Sequence, residues 1–418
     1  VSWLKYLYTY PLSWLCILLG SIIGLLKNHR RAANFFNLAL KLTPEWGLAH
    51  WGKAATCRLL QDYSQGVYYY NQAVAHNVLD SRLYYYRAAC YANLKQYTYA
   101  LMDYNTALWL QCSMTYHIYL DRGRTYLDMR QYQAALNDFA WALQIKPNKA
   151  DAYLSQSAAL VKVKDYHQAV YYCNLALERN PKLALAYNNR GVAYQRLNNF
   201  PQAQADYRRC LELDPKFALG YSNLADLSLK TRDYAGAVQF SQQALTIDPK
   251  LINGYTSRAM AYLFQKQIKE AMVDLEQALS IEPDNLEVRG LIFWLSAGTE
   301  RPGLEAALQL ENFITTNSSD NYALILKAIV SGIRDNWEAA LNSLQEVSIQ
   351  EDEELFIHFW LGLAYAYQFQ NDKALEVLSY TIGVFVPFPL FNPLFWLKRD
   401  RPEFYQQQLL PLLTKHIS

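Results

Sequence analysis

The sequence predicts an all-α chain: an α–α superhelix, or solenoid, of about eleven 34-residue helix-turn-helix repeats with a C-terminal capping helix. Three observations lead there. Pro147, Pro181, Pro215, Pro249 and Pro283 are each 34 residues apart. Small side chains recur at set places on that ruler. Breakers are few, with 16 glycines and 14 prolines in 418 residues, which favours long helices with short connections over many β-turns.

The ruler orders the chain. Pro44 precedes Pro147 by three periods plus one residue, with Val78 and Cys112 at the proline-equivalent places between them. Repeats then start at Ser13, Gly47, Ser81, Tyr116, Ala150, Ala184, Ala218, Ile252, Glu287, Asn321 and Leu355. Residues 1–12 read as an N-terminal extension, 13–388 as the array and 389–418 as the C-terminal cap. The fourth place is aromatic in Tyr84, Tyr119, Tyr153, Tyr187, Tyr221 and Tyr255. The eighth is small, as in Gly20, Ala54, Ala88, Gly123, Gly191 and Ala259. The twentieth is alanine in every repeat except one, where Gly66 stands.

Each repeat carries apolar residues at helical spacing, so it reads as two helices. Small side chains at places eight and twenty allow close approach, and larger ones at places four, eleven and twenty-four fill the space beside them. The proline ends the second helix, because it lacks an N–H and disfavours helical geometry in the residue before it. One pair cannot bury its apolar faces alone, whereas stacked pairs share a core. The recurring residues form the W-x2-L-G-x2-Y…A-x3-F…A…P pattern, and the chain thereby resembles the tetratricopeptide repeat family. The match is best over 116–285 and weakest over 287–320.

Charge separates into structural and functional candidates. Place seven is arginine in four repeats, and place twenty-three is then aspartate: Arg87 with Asp103, Arg122 with Asp138, Arg190 with Asp206, Arg258 with Asp274. Gln156 and Leu224 at place seven go instead with Tyr172 and Phe240. The joint presence and absence predict an Arg–carboxylate bridge within a repeat.

The resemblance implies a concave groove lined by the first helix of each repeat, in which places two, five, six, nine, twelve and thirteen face a bound peptide. The peptide-binding candidates are Arg82, Tyr85, Tyr86, Arg124, Asn188, Asn189, Asn223 and Asp226. Asn189 and Asn223 resemble the family's side chains that bond an extended peptide backbone, since an amide offers donor and acceptor together. Taken singly, each of these residues is more simply a solvated polar side chain. The Lys/Asn/Arg set with which chaperone-binding relatives clamp a C-terminal carboxylate is missing.

The beginning of the chain is apolar. Twenty-one residues separate Lys5 from Lys27 without a charge, and they overlap the first helix of repeat one. A helix apolar all round needs a cover other than water. Leu12, Trp14, Ile17, Leu18, Ile22 and Leu25 are the expected membrane or partner contacts. The run is borderline for crossing a bilayer core, which takes about 20 residues, and Pro11 is expected to shorten it. Lys27, Arg30 and Arg31 would leave the repeats on the cytoplasmic side. Near the other end, residues 382–397 hold three prolines and five Phe or Trp, expected to fold over the last repeat ahead of a capping helix near 402–410.

Composition excludes several classes. A formal charge of +2 argues against a nucleic-acid-coating surface, and a mean hydropathy of −0.14 against a polytopic membrane protein. The six cysteines and seven histidines show no metal spacing, and the thiols read as small core residues. No cofactor, metal, small-molecule substrate, nucleic acid or catalytic residue is expected. The expected function is a non-enzymatic protein–protein interaction scaffold on the cytoplasmic side, membrane-associated through its first helix. The alternative is a soluble cytoplasmic subunit of a larger assembly, with both apolar ends buried by partners.

Overall fold

The structure is a computed structural model that describes residues 2–285, 288–289, 291–292, 295, 321–347, 354–385 and 394–412; among them every regular element is a helix. The chain divides into two units, Val1–Asp214 and Pro215–Ser418. Most of the expected repeat starting at Glu287, and residues 386–393 of the apolar segment, lie outside the described residues.

The first unit is a run of antiparallel helix pairs, an A helix followed by a B helix. They are α1 (Ser2–Leu25) with α2 (His29–Leu42), α3 (Gly47–Leu59) with α4 (Tyr63–Ala75), and α5 (Ser81–Asn93) with α6 (Tyr97–Trp109). Next come α7 (Thr115–Asp128) with α8 (Tyr132–Ile145), α9 (Ala150–Lys162) with α10 (Tyr166–Arg179), and α11 (Ala184–Arg196) with α12 (Phe200–Leu213). The second unit pairs α13 (Ala218–Lys230) with α14 (Tyr234–Ile247) and α15 (Ile252–Phe264) with α16 (Ile268–Ile281). Its later pairs are α17 (Asn321–Ile333) with α18 (Trp337–Gln345) and α19 (Glu354–Tyr367) with α20 (Asn371–Phe385). Then follow α21 (Leu394–Asp400), α22 (Pro402–Phe404) and a π-turn, Tyr405–Leu409. Trp396, Leu397, Phe404 and Leu409 are buried there, with the Trp396 ring 6.1 Å from Trp360 of α19.

The turn inside each pair follows from two adjacent residues. Place fifteen is left-handed although never glycine: Lys27, Gln61, Lys95, Arg130, Lys164, Asn198, Arg232 and Lys266 have φ between 57° and 65°. The next N–H bonds back to the A helix, as from Asp165 to the Leu160 carbonyl at 3.0 Å, which closes the helix end. Place sixteen then caps the B helix. Asp62, Asp165 and Asp233 accept from the backbone N–H of Gln65, Gln168 and Gly236.

The turn between pairs depends on the proline. Before Pro44, Pro147, Pro181, Pro215, Pro249 and Pro283, the B-helix cap has φ between −128° and −144°. Where Val78 and Cys112 replace proline, Asn77 and Gln111 adopt φ of 62° and 53°, and the B helix has 13 residues instead of 14. Without the ring, the chain closes the helix by a left-handed residue.

Close packing uses the small residues as expected. Ala32, Ala100, Ala135, Ala169, Ala203, Ala237 and Ala271 of place twenty are wholly buried. Gly123 and Gly191 lie against the rings of Phe139 and Tyr207, which a Cβ would meet at 2.6 and 2.7 Å. Pro11 departs from expectation, because α1 runs through it as one helix of 24 residues. Pro11 is exposed, so the loss of one backbone hydrogen bond occurs on the solvent side and the helix continues.

Candidate functional site

The four expected Arg–Asp bridges all form. Arg87, Arg122, Arg190 and Arg258 each give Nε and Nη2 to the two carboxylate oxygens of their aspartates at 2.6–2.8 Å. The aspartates are buried and the arginines nearly so, which suits the planar fork of a guanidinium. Each arginine also reaches the preceding repeat through Nη1, to Asn71, Asn105, Asn174 and Gln242. Tyr84, Tyr119, Tyr187 and Tyr255 lie beside the same guanidinium groups. These arginines tie neighbouring repeats together. The third partner was legible too: Ala140 and Arg208 stand at its place before Gln156 and Leu224, the repeats without arginine.

A second polar network occupies the A helices of the first unit. Tyr85 donates to Asp121 at 2.8 Å, linking α5 to α7. Arg124 contacts Asp121 and Ser155, each at 3.3 Å, linking α7 to α9. Tyr116 donates to Asp151 at 2.5 Å across the same junction. Towards α3, Arg82 lies 5.3 Å from the Trp51 ring and Arg58 lies 4.4 Å from Tyr86. Burial, and then Asp121, raise the Tyr85 hydroxyl above the ordinary tyrosine range, so it stays a donor. Hydrogen bonds thus join α5, α7 and α9, and arginine–ring contacts join α3 to α5.

The expected groove residues divide by exposure. The Arg82 and Arg124 side chains are 53% and 48% exposed, and Tyr86 is half-buried. Arg82 is held by Asp80, the capping residue of α5, whose hydrogen bonds raise its pKa. Tyr85 and Asn188 are buried, which corrects their expected place on an open surface. Tyr85 sits where α5 and α7 touch, so the neighbouring repeat covers it. Asn189 is half-buried in the first unit; Asn223 and Asp226 are half-buried in the second, where Asp226 lies 3.9 Å from Lys230. The residues that sequence reasoning passed over are Trp51, Arg58, Asp151 and Ser155. Their signal was a contact offset of 28–36 residues between adjacent A helices.

On α1, Leu12, Trp14, Leu18, Ile22 and Leu25 are exposed, whereas Ile17 is buried against α2, a correction to its expected role as a contact. No helix among the described residues is long and apolar enough to cross a membrane, which corrects the borderline expectation of a span. All six cysteines are buried, and burial pushes the Cys90 thiol to about 12, far from a reactive thiolate. Among the described residues no group of three His, Cys, Asp or Glu could hold a metal ion.

Three family models described as tetratricopeptide repeat match residues 120–184, 184–217, 218–251 and 252–285. A solved tetratricopeptide repeat protein from Parabacteroides merdae ATCC 43184 is similar at a TM-score of 0.52 and 19% identity, covering 59% of this chain and 97% of that one. TTC0263, a thermophilic protein of the same repeat type from Thermus thermophilus, has a TM-score of 0.40 and 20% identity, covering 42% and 96%. The APC/C hetero-tetramer Cut9–Hcn1 has a TM-score of 0.44 and 12% identity, covering 99% and 94%. No curated protein matches the chain.

Proposed function

Because the chain is a tetratricopeptide repeat protein, we propose that it is a non-enzymatic scaffold holding segments of other proteins on the A-helix face of its repeats. The observation that carries this reading is the Tyr85–Asp121–Arg124–Ser155 network. It fixes three A helices in register and leaves the Arg124 guanidinium half open. An open guanidinium on a rigid face suits the carboxylates and backbone carbonyls of an extended segment. Pre-fixing the side chains lowers the ordering cost of binding. Asn189 and Asn223 offer amides for the same task on their own helices. Association with a membrane on its cytoplasmic side, through α1, belongs to this reading.

The test starts from whatever protein cross-links to Tyr86 of the full chain carrying a photoreactive residue there. Arg82→Ala with Arg124→Ala is expected to weaken that partner by tenfold or more, on the order of 1.4 kcal/mol or greater, at unchanged helicity. An unaltered affinity rejects the A-helix face as the docking surface.

A further inference from the structure

The first repeat differs in charge from everything after it. Residues 1–44 hold Lys5, Lys27, Arg30, Arg31 and Lys41 and no acidic residue, whereas residues 45–418 hold 34 basic and 37 acidic residues. Lys27, Arg30, Arg31 and Lys41 are exposed and make no ion pair among the described residues. Beside them runs an apolar stripe at three- and four-residue spacing: Leu12, Leu15, Leu18, Ile22 and Leu25, between 45% and 84% exposed. The stripe ends in the α1–α2 turn, where Leu25 and Leu26 are 84% and 74% exposed and Lys27 follows directly. The opposite side of α1, with Ser13, Cys16, Ile17 and Gly20, is packed on α2.

We propose that α1 and the α1–α2 turn form a peripheral docking site for an anionic lipid surface, lying in the interface rather than crossing it. This deepens the membrane part of the proposed function and rests on it. Charge complementarity selects the occupant. A second copy would bring two modules of the same sign together, and water leaves the leucine stripe uncovered. An acidic headgroup layer meets the basic cluster while the acyl boundary receives the leucines and Trp14. Each basic residue near such a surface strengthens binding by about fivefold, falling with added salt.

Flotation of the full chain with vesicles tests this. Vesicles of phosphatidylcholine with a minority of phosphatidylglycerol are expected to carry the protein, phosphatidylcholine alone to leave it behind, and high salt to release it. Lys27→Gln with Arg30→Gln and Arg31→Gln should weaken binding by roughly 100-fold. Glutamine is tolerated at the left-handed Lys27 position, since Gln61 occupies the equivalent one. Leu18→Gln with Leu25→Gln, at exposed positions, should abolish flotation with helicity unchanged. Equal binding to both vesicles overturns the anionic site and leaves membrane association standing. Binding to neither overturns both. A concentration-dependent dimer without vesicles, lost in Leu18→Gln, assigns the stripe to a second copy instead. None of these results bears on Arg82 and Arg124.

Discussion

Arg190 grips Asp206 through Nε at 2.8 Å and Nη2 at 2.7 Å, and gives its remaining nitrogen to Asn174 of the preceding repeat at 2.6 Å. One side chain therefore joins three helices. The hydrogen bonds to Asp206 raise the arginine pKa, so the guanidinium stays charged. Arg190→Ala strands a buried carboxylate and is expected to cost about 3 kcal/mol in thermal or denaturant unfolding. Asp206→Ala on top should add little, because the two act as one unit. The pair Arg190→Leu with Asp206→Phe, copied from Leu224 and Phe240, should recover most of the loss.

Gly191 packs against the Tyr207 ring, and a Cβ there would lie 2.7 Å from it. Tyr207 is buried and donates to Gln195 at 2.8 Å, so the ring has little room to retreat. Gly191→Ala should therefore destabilise the fold by about 1–3 kcal/mol through overpacking, despite the gain in helix propensity. A melting temperature at or above that of the parent chain would contradict this contact.

The proline-free junctions are conformationally committed. Asn77 has φ of 62° and the Val78 N–H donates to the Ala73 carbonyl at 3.0 Å. Val78→Pro removes that donor and drives Asn77 out of its left-handed geometry, so it should destabilise by more than about 1 kcal/mol. Asn77→Gly, which frees the same position from Cβ strain, should be neutral or stabilising. Urea midpoints of the two variants moving in the same downward direction would refute this account.

His50 supplies the pH dependence. Its ring is 9% exposed, bonds the Pro44 carbonyl through Nε2 at 2.8 Å, and stacks on His76 at 5.2 Å. Burial foremost, with the charge of His76 adding to it, lowers its pKa below 6.5 against the opposing pull of the Pro44 carbonyl. The folded state then binds fewer protons than the unfolded one. Its contribution is fully present above about pH 6.5 and is lost as the pH falls towards the lowered value. Melting temperatures recorded from neutral pH downward should fall in that window, and His50→Gln should flatten the fall.

The pairing of Arg190 with Asp206 was legible because both its presence and its absence repeat along the chain. The buried alanines of place twenty were legible for the same reason: a constraint imposed once per repeat is written many times over. The exposed Arg82 and Arg124 could also be placed, since their positions on an A helix follow from the ruler. Tyr85, Asn188 and Ile17 could not. Whether a side chain is covered depends on the helix packed against it, which for Tyr85 is α7 of the next repeat and for Ile17 is α2.

The sequence by itself determined the period, the two helices of each repeat and the bridge between them, because these arise from local spacing and from pairs at a fixed offset. Only the tertiary structure decided which face of α1 remains uncovered, that Pro11 lies within a continuous helix, and that hydrogen bonds of tyrosine, arginine and aspartate join α5, α7 and α9. Those outcomes depend on which helix surfaces meet, where burial and hydrogen-bond geometry are set by neighbours and not by the order of residues along one helix.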